Sequence, residues 1–246
     1  EPLVFPYESY RNIEQLPKID IAFSSIKNDF DTQGRFILLD TPGPNEAGQK
    51  ELKVMLKEQL ERSSAVMLVL DYTQLNSEAE ADVKEQISAI PTVQKSRLFT
   101  MVNKFDQKTA NSDDERETID HVYDSLLKHM VDKENIYPIS AQDAYLANRM
   151  LSFIEYNGKK PNFQEETWIE DFAINAFGRK AEQKYSSANL NEINEIIEEL
   201  LLDSKMEKPL QNIVSNMHKN APIIAIQSAL VGYSKIFDDL NTFFDI

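Results

Sequence analysis

An α/β fold, with a mainly parallel sheet covered by helices on both faces and a helical bundle following it, is what this sequence predicts. Three observations carry that expectation. Short apolar runs alternate with amphipathic stretches over the first two-thirds of the chain, the rhythm of strands joined by helical crossovers. Beyond Ser140 no strand pattern recurs, and apolar residues fall at helical spacing instead. Of 246 residues, 41% are hydrophobic and 27% charged, which is enough to bury a core.

The elements follow in order. Lys18–Ile26 alternates apolar and polar as a half-buried strand does. Gly34–Gly43 is a continuous apolar run ending in turn residues, the pattern of a buried strand. Leu52, Met55, Leu56 and Leu60 mark a helix, and Ala65–Asp71 a second buried strand. Ser77 with Glu80 caps a helix that runs to Ile90 and stops at Pro91. Arg97–Asp106 reads as a third buried strand, Ser112 with Glu115 as the cap of a helix reaching about Met130, and Asn135–Ser140 as a fourth strand. Helices are then expected at Ala141–Asn157 (ended by Gly158), Thr167–Phe177, Asn191–Leu202, Glu207–His218 and Pro222–Phe244. Ile193, Ile196, Ile197, Leu200 and Leu201 form one apolar stripe. Leu230, Tyr233, Ile236, Phe237, Leu240 and Phe244 form another, expected as helix–helix core or as a face awaiting a partner.

Composition excludes several functions. Acidic residues outnumber basic ones 41 to 26, a net charge of −15, so the surface repels nucleic-acid backbones and anionic lipid alike. With no cysteine and only His121, His129 and His218, disulfides, thiolate chemistry and Cys/His zinc sites are out. A chain without cysteine suits the cytoplasm, and no apolar run reaches membrane-spanning length.

Three strand ends carry polar clusters, where a parallel sheet places its ligands. The first is Asp40-Thr41-Pro42-Gly43. A carboxylate there can hold Mg through a water, and a glycine lets its N–H approach a γ-phosphate. The second is Asn103-Lys104-Phe105-Asp106. Guanine presents two donors on one edge, and a single carboxylate, Asp106, accepts both. Adenine would leave that carboxylate unpaired. Lys104 can lay its methylene stem along the base, and Asn103 can tie the loop to its neighbours. The third is Ser140-Ala141, small residues whose N–H groups can reach a base carbonyl oxygen. Asp-x-x-Gly, Asn-Lys-x-Asp and Ser-Ala, in that order, form the arrangement of a guanine-nucleotide-binding domain. A phosphate loop of the form G-x-x-x-x-G-K-[ST] is missing. Gly43–Lys50 comes near it, but Gln49 stands where the lysine belongs and Glu51 would oppose phosphate.

With these residues the sequence resembles a bacterial dynamin-like GTPase. The resemblance runs through Leu38–Gln49 (LLDTPGPNEAGQ), Val69–Leu75 (VLDYTQL), Val102–Gln107 (VNKFDQ), Tyr145–Arg149 (YLANR) and Trp168–Arg179 (WIEDFAINAFGR). It implies a P-loop-NTPase-like GTPase domain at 1–158, incomplete at its N-terminus, and the start of a helical stalk at 159–246. It implies GTP and GDP as ligands with Mg, nucleotide contacts from Asp40, Thr41, Gly43, Asn103, Lys104, Asp106, Ser140 and Ala141, and Asp40 as the water-mediated Mg residue. It also implies self-association through the helices and contact with the replication sliding clamp through a segment outside this sequence. The alternative is a non-catalytic scaffold that uses the fold as a nucleotide switch; no direct nucleic-acid or membrane contact is expected from this stretch. Without a phosphate loop among its residues, the 246-residue chain should not turn GTP over by itself. Robust phosphate release by a preparation of verified 28.3 kDa mass would refute that expectation.

Overall fold

The computed structural model describes residues 37–40, 60, 63–75, 81, 95–109 and 112–243. The chain divides into two compact units, Glu1–Gly43 and Pro44–Ile246. In the first, the described stretch 37–40 is not a strand, and Ile37, Leu38 and Leu39 are 57%, 62% and 41% exposed. This corrects the buried strand expected across Gly34–Gly43. An apolar run becomes a strand only where a neighbour completes its ladder, and no described residue pairs with 37–40. The strand at Lys18–Ile26 lies outside the described residues, as does the helix at Ser77–Ile90 apart from Ala81.

The second unit holds a three-stranded parallel sheet, β1 (Val66–Asp71), β2 (Leu98–Asn103) and β3 (Ile136–Pro138), in the order β1-β2-β3. Side chains of β2 alternate between two cores, as a period of two dictates. Leu98 and Val102 join Leu60, Leu70, Val122, Leu127 and Val131 on one face. Phe99 and Met101 join Tyr137, Ile139 and Ile213 on the other. Met67 and Val69 of β1 remain 44% and 53% exposed.

Six helices are described: α1 (Glu115–His121), α2 (Ala141–Asn157), α3 (Thr167–Phe177), α4 (Ala181–Ser187), α5 (Leu190–Ser204) and α6 (Glu207–Phe243). The cap of α1 is Asp114 with Glu117, not Ser112 with Glu115. The Ser112 hydroxyl is engaged by the Thr109 N–H at 3.0 Å and the Thr109 hydroxyl at 2.9 Å, so it is not free to cap. A π-helical stretch, Val122–Leu127, continues α1. Helices α2 and α3 have the expected spans, and Gly158 ends α2 in the left-handed conformation (φ 68°). α4 was not foreseen. α2 through α5 share one core around Met150, Ile169, Phe172, Tyr185 and Ile193, so the packing runs across residue 158.

Pro222 was expected to divide two helices; instead α6 runs through it as one helix of 37 residues. A single missing N–H costs one ladder bond, and the turns on both sides hold the helix together. Its first half meets the sheet, through Ile213. Farther on, Ile223, Ile226, Leu230, Tyr233, Phe237 and Leu240 are 48–72% exposed, and they recur at alternating steps of three and four, a coiled-coil-like seam. The stripe is therefore not core within the described chain; Phe244 lies outside the described residues. Pro222 is exposed, so Pro222→Ala should stabilise α6 by up to about 3 kcal/mol with no packing lost. Slower amide exchange after residue 222 in the variant would bear this out, and unchanged exchange would refute it.

Candidate functional site

Because the strands are parallel, their carboxyl ends share one edge, with Asp71 opposite Asn103 and Val102 opposite Pro138. The loops leaving β2 and β3 are stitched together there. The Ile139 N–H donates to the Val102 carbonyl at 2.9 Å, and the Phe105 N–H to the Ile139 carbonyl at 3.1 Å. The Ala141 N–H donates to Asn103 Oδ1 at 3.0 Å. Ser140, 2% exposed, is the N-cap of α2, its Oγ accepting from the Asp143 N–H at 3.2 Å. Asn103, Ser140 and Ala141 thus stand together, although they are 37 and 38 positions apart in sequence.

Lys104 has a left-handed backbone (φ 66°), a conformation that is strained for a side chain with a Cβ. Its ammonium is held by Asp71 Oδ2 at 2.5 Å. The turn Phe105–Gln107 follows. Phe105 is buried against Tyr72, edge to face at 5.2 Å, and that anchor leaves Asp106 facing solvent. No described residue gives the Asp106 carboxylate a hydrogen bond or an ion pair.

Asp40 ends the described stretch of the first unit and is exposed. Thr41 and Gly43 lie outside the described residues. Among the described residues, no group of three or more His, Asp or Glu side chains has the arrangement of a metal site.

Two acids at this edge were missed by the sequence reading. Asp71 ends its strand as Asn103 ends the next, which was the available signal. Burial pushes its carboxyl up, but the Lys104 and Thr73 hydrogen bonds outweigh burial and hold it below the usual carboxylate range. Asp143 sits three residues after the N-cap, a position favoured by acids, and is 5% exposed. Burial raises its pKa; hydrogen bonds from Ser140 and Asn175 oppose that, and repulsion from Asp106 and Asp203 adds to it.

The chain is similar to the clamp-binding protein CrfC of Escherichia coli, and to the same protein of Escherichia coli strain K12. Each is 40% identical over 225 residues, which is 92% of this chain and 30% of the relative. The chain thus spans about a third of the length of the relatives it matches. No family model and no solved structure matches it.

The depressed pKa of Asp71 carries a sign. Its ion pair with Lys104 stabilises the folded chain fully above the unfolded carboxylate pKa, and that stabilisation is lost as pH falls through the lower folded value. Because the pair is partly exposed, Asp71→Asn should cost only about 0.5–1 kcal/mol near pH 7. Chemical denaturation at several pH values checks this: the gap between variant and parent should close in acid, and a gap that widens in acid would contradict it.

Proposed function

We propose that the sheet edge formed by Asn103–Asp106 and Ser140–Ala141 recognises the base of a guanine nucleotide, and that the chain is part of a dynamin-like GTPase associated with a replication clamp. The observation that carries the reading is the Asn103–Ala141 bond at 3.0 Å, which joins the two base-facing loops beside a solvent-facing Asp106 carboxylate. That acceptor suits guanine: Asp106 accepts from the ring N–H and the exocyclic amine, and the small Ser140–Ala141 turn leaves room for the base, its own N–H groups being taken by Ser204 and Asn103. Lys104, pinned by Asp71 at 2.5 Å, presents its methylene stem to the base plane. In this reading Asp40, Thr41 and Gly43 serve Mg and the terminal phosphate, with Mg held at Asp40 through water. GTP hydrolysis would take place in the full-length protein, where Mg supplies charge neutralisation at the phosphates.

Clamp association rests on the similarity to clamp-binding relatives. Self-association through the helices is supported by the exposed seam on α6. A non-catalytic scaffold, using the same edge as a nucleotide switch, shares the base site and differs only in turnover.

Asp106→Asn tests the base reading. It should weaken guanine binding by roughly 5- to 150-fold, equivalent to about 1–3 kcal/mol, and turn preference toward a xanthine nucleotide. Titrating GDP, ADP and XDP while following the NMR signals of Asn103, Asp106 and Ala141 gives a site-resolved answer even at weak affinity. Equal response to GDP and ADP in the parent chain would overturn the proposal.

A further inference from the structure

The two base-facing loops are braced from behind by the helices, and a buried carboxylate lies at the centre of the brace. Asp143 Oδ1 accepts a hydrogen bond from Nδ2 of Asn175, which reaches over from α3. The Ser140 N–H donates to the carbonyl of Ser204, the last residue of α5, at 3.0 Å. Next in the chain, Lys205 takes a left-handed backbone (φ 55°), pairs with Glu115 of α1 and holds its ammonium 5.4 Å from the centre of the Phe105 ring. The β2 and β3 loops are therefore both touched by the junction of α5 with α6, and the first turn of α2 by α3.

The chemistry at Asp143 is specific. A buried carboxylate is costly unless hydrogen-bonded, and Asp106 and Asp203 face this one as like charges. An apolar side chain would fill the space without that cost. What the carboxylate adds is a charge-assisted bond tying the first turn of α2 to α3. Resting on the base-recognition reading above, we infer that Asp143, held by Asn175, is a positioning residue that fixes Ser140 and Ala141 against Asn103 and makes α3 and α5 part of the guanine site. Displacing those helices loosens the base loop, and by linkage an occupied base site resists their displacement.

Amide exchange in the nucleotide-free chain tests the brace without requiring any ligand. Asn175 is on an exposed face, so Asn175→Ala leaves the helical core intact. Asn175→Ala and Asp143→Ala should each speed exchange at Ser140 and Ala141 by about tenfold, the scale of one lost bond to a charged group. The β1–β2 ladder should be unaffected, and Asp143→Asn, which keeps an acceptor for Asn175 but loses the charge, should fall between the parent and Asp143→Ala. No change at Ser140 and Ala141, or an equal change throughout the ladder, would overturn the inference. If Asp143→Ala does not fold, Asn175→Ala decides the matter alone. A GDP titration of the same variants should show a similar loss of affinity with guanine still preferred over adenine. Unchanged affinity in a parent that prefers guanine would sever the brace from the site. A parent with no such preference would sink the base-recognition reading, while the exchange results still decide whether Asp143 positions the loop.

Discussion

The Ala141 N–H has no partner within its own helix. The first N–H groups of any helix point outward unsatisfied, and this one begins α2 at a sheet edge where neighbouring groups are buried. Ser140 caps the Asp143 N–H at 3.2 Å, and the side-chain oxygen of Asn103, from the end of a different strand, accepts the bond from Ala141 at 3.0 Å. One side chain thereby closes the helix terminus and joins the β2 loop to the β3 loop. The rest of the edge depends on that closure. Phe105 bonds Ile139 across the two loops and seats its ring against Tyr72 of the turn after β1, and Phe105 in turn leaves Asp106 in solvent.

How much of this was legible in the sequence varies with the locality of the signal. α2 and α3 could be read to the residue because their stops are local: Ser140 caps one, and Gly158 and Gly178 take positive φ at the two ends. The strands Val66–Asp71, Leu98–Asn103 and Ile136–Pro138 were legible as apolar runs bounded by polar turns. Signals that depend on competition failed. Ser112 has the sequence of a cap, yet Thr109 claims its hydroxyl, and Asp114 caps instead. Pro222 has the sequence of a break, yet the helix around it is long enough to absorb one lost bond. α4 is short and carries few apolar residues, so no periodicity announced it; it is held by Ala181 and Tyr185 packing into the helical core. Of the candidate site, the motif residues of β2 and β3 could be read, while Asp71 and Asp143 could not. Their roles come from partners 33 and 32 positions away, Lys104 and Asn175.

Charge at this edge follows a consistent pattern. Asp71 is depressed because a lysine and a threonine satisfy it; Asp143 is raised because burial and two neighbouring acids outweigh its hydrogen bonds. The same residue type on one edge therefore takes opposite shifts: hydrogen bonds outweigh burial at Asp71, and burial outweighs them at Asp143. Asp106 lies between them in sequence and is the carboxylate left open to solvent. Asp106 also repels Asp143, so these acids share one electrostatic neighbourhood.

α6 extends that neighbourhood outward. Just before the helix begins, Lys205 lies over Phe105 and pairs with Glu115. Its first half then packs Ile213 against Phe99, Met101, Tyr137 and Ile139, while Asn212 donates to the Tyr137 hydroxyl at 2.8 Å. At 1.5 Å per residue its 37 residues reach about 55 Å, and the second half carries the open apolar seam from Ile223 to Leu240. A helix is stiff along its axis except where a bond is missing, and Pro222 is where this one lacks a bond. One element thus starts at the loops that would hold the base, crosses the sheet, and ends in a surface with the pattern of a helix partner. Pro222, where the helix lacks one ladder bond, lies near the boundary between the half seated on the sheet and the half left exposed.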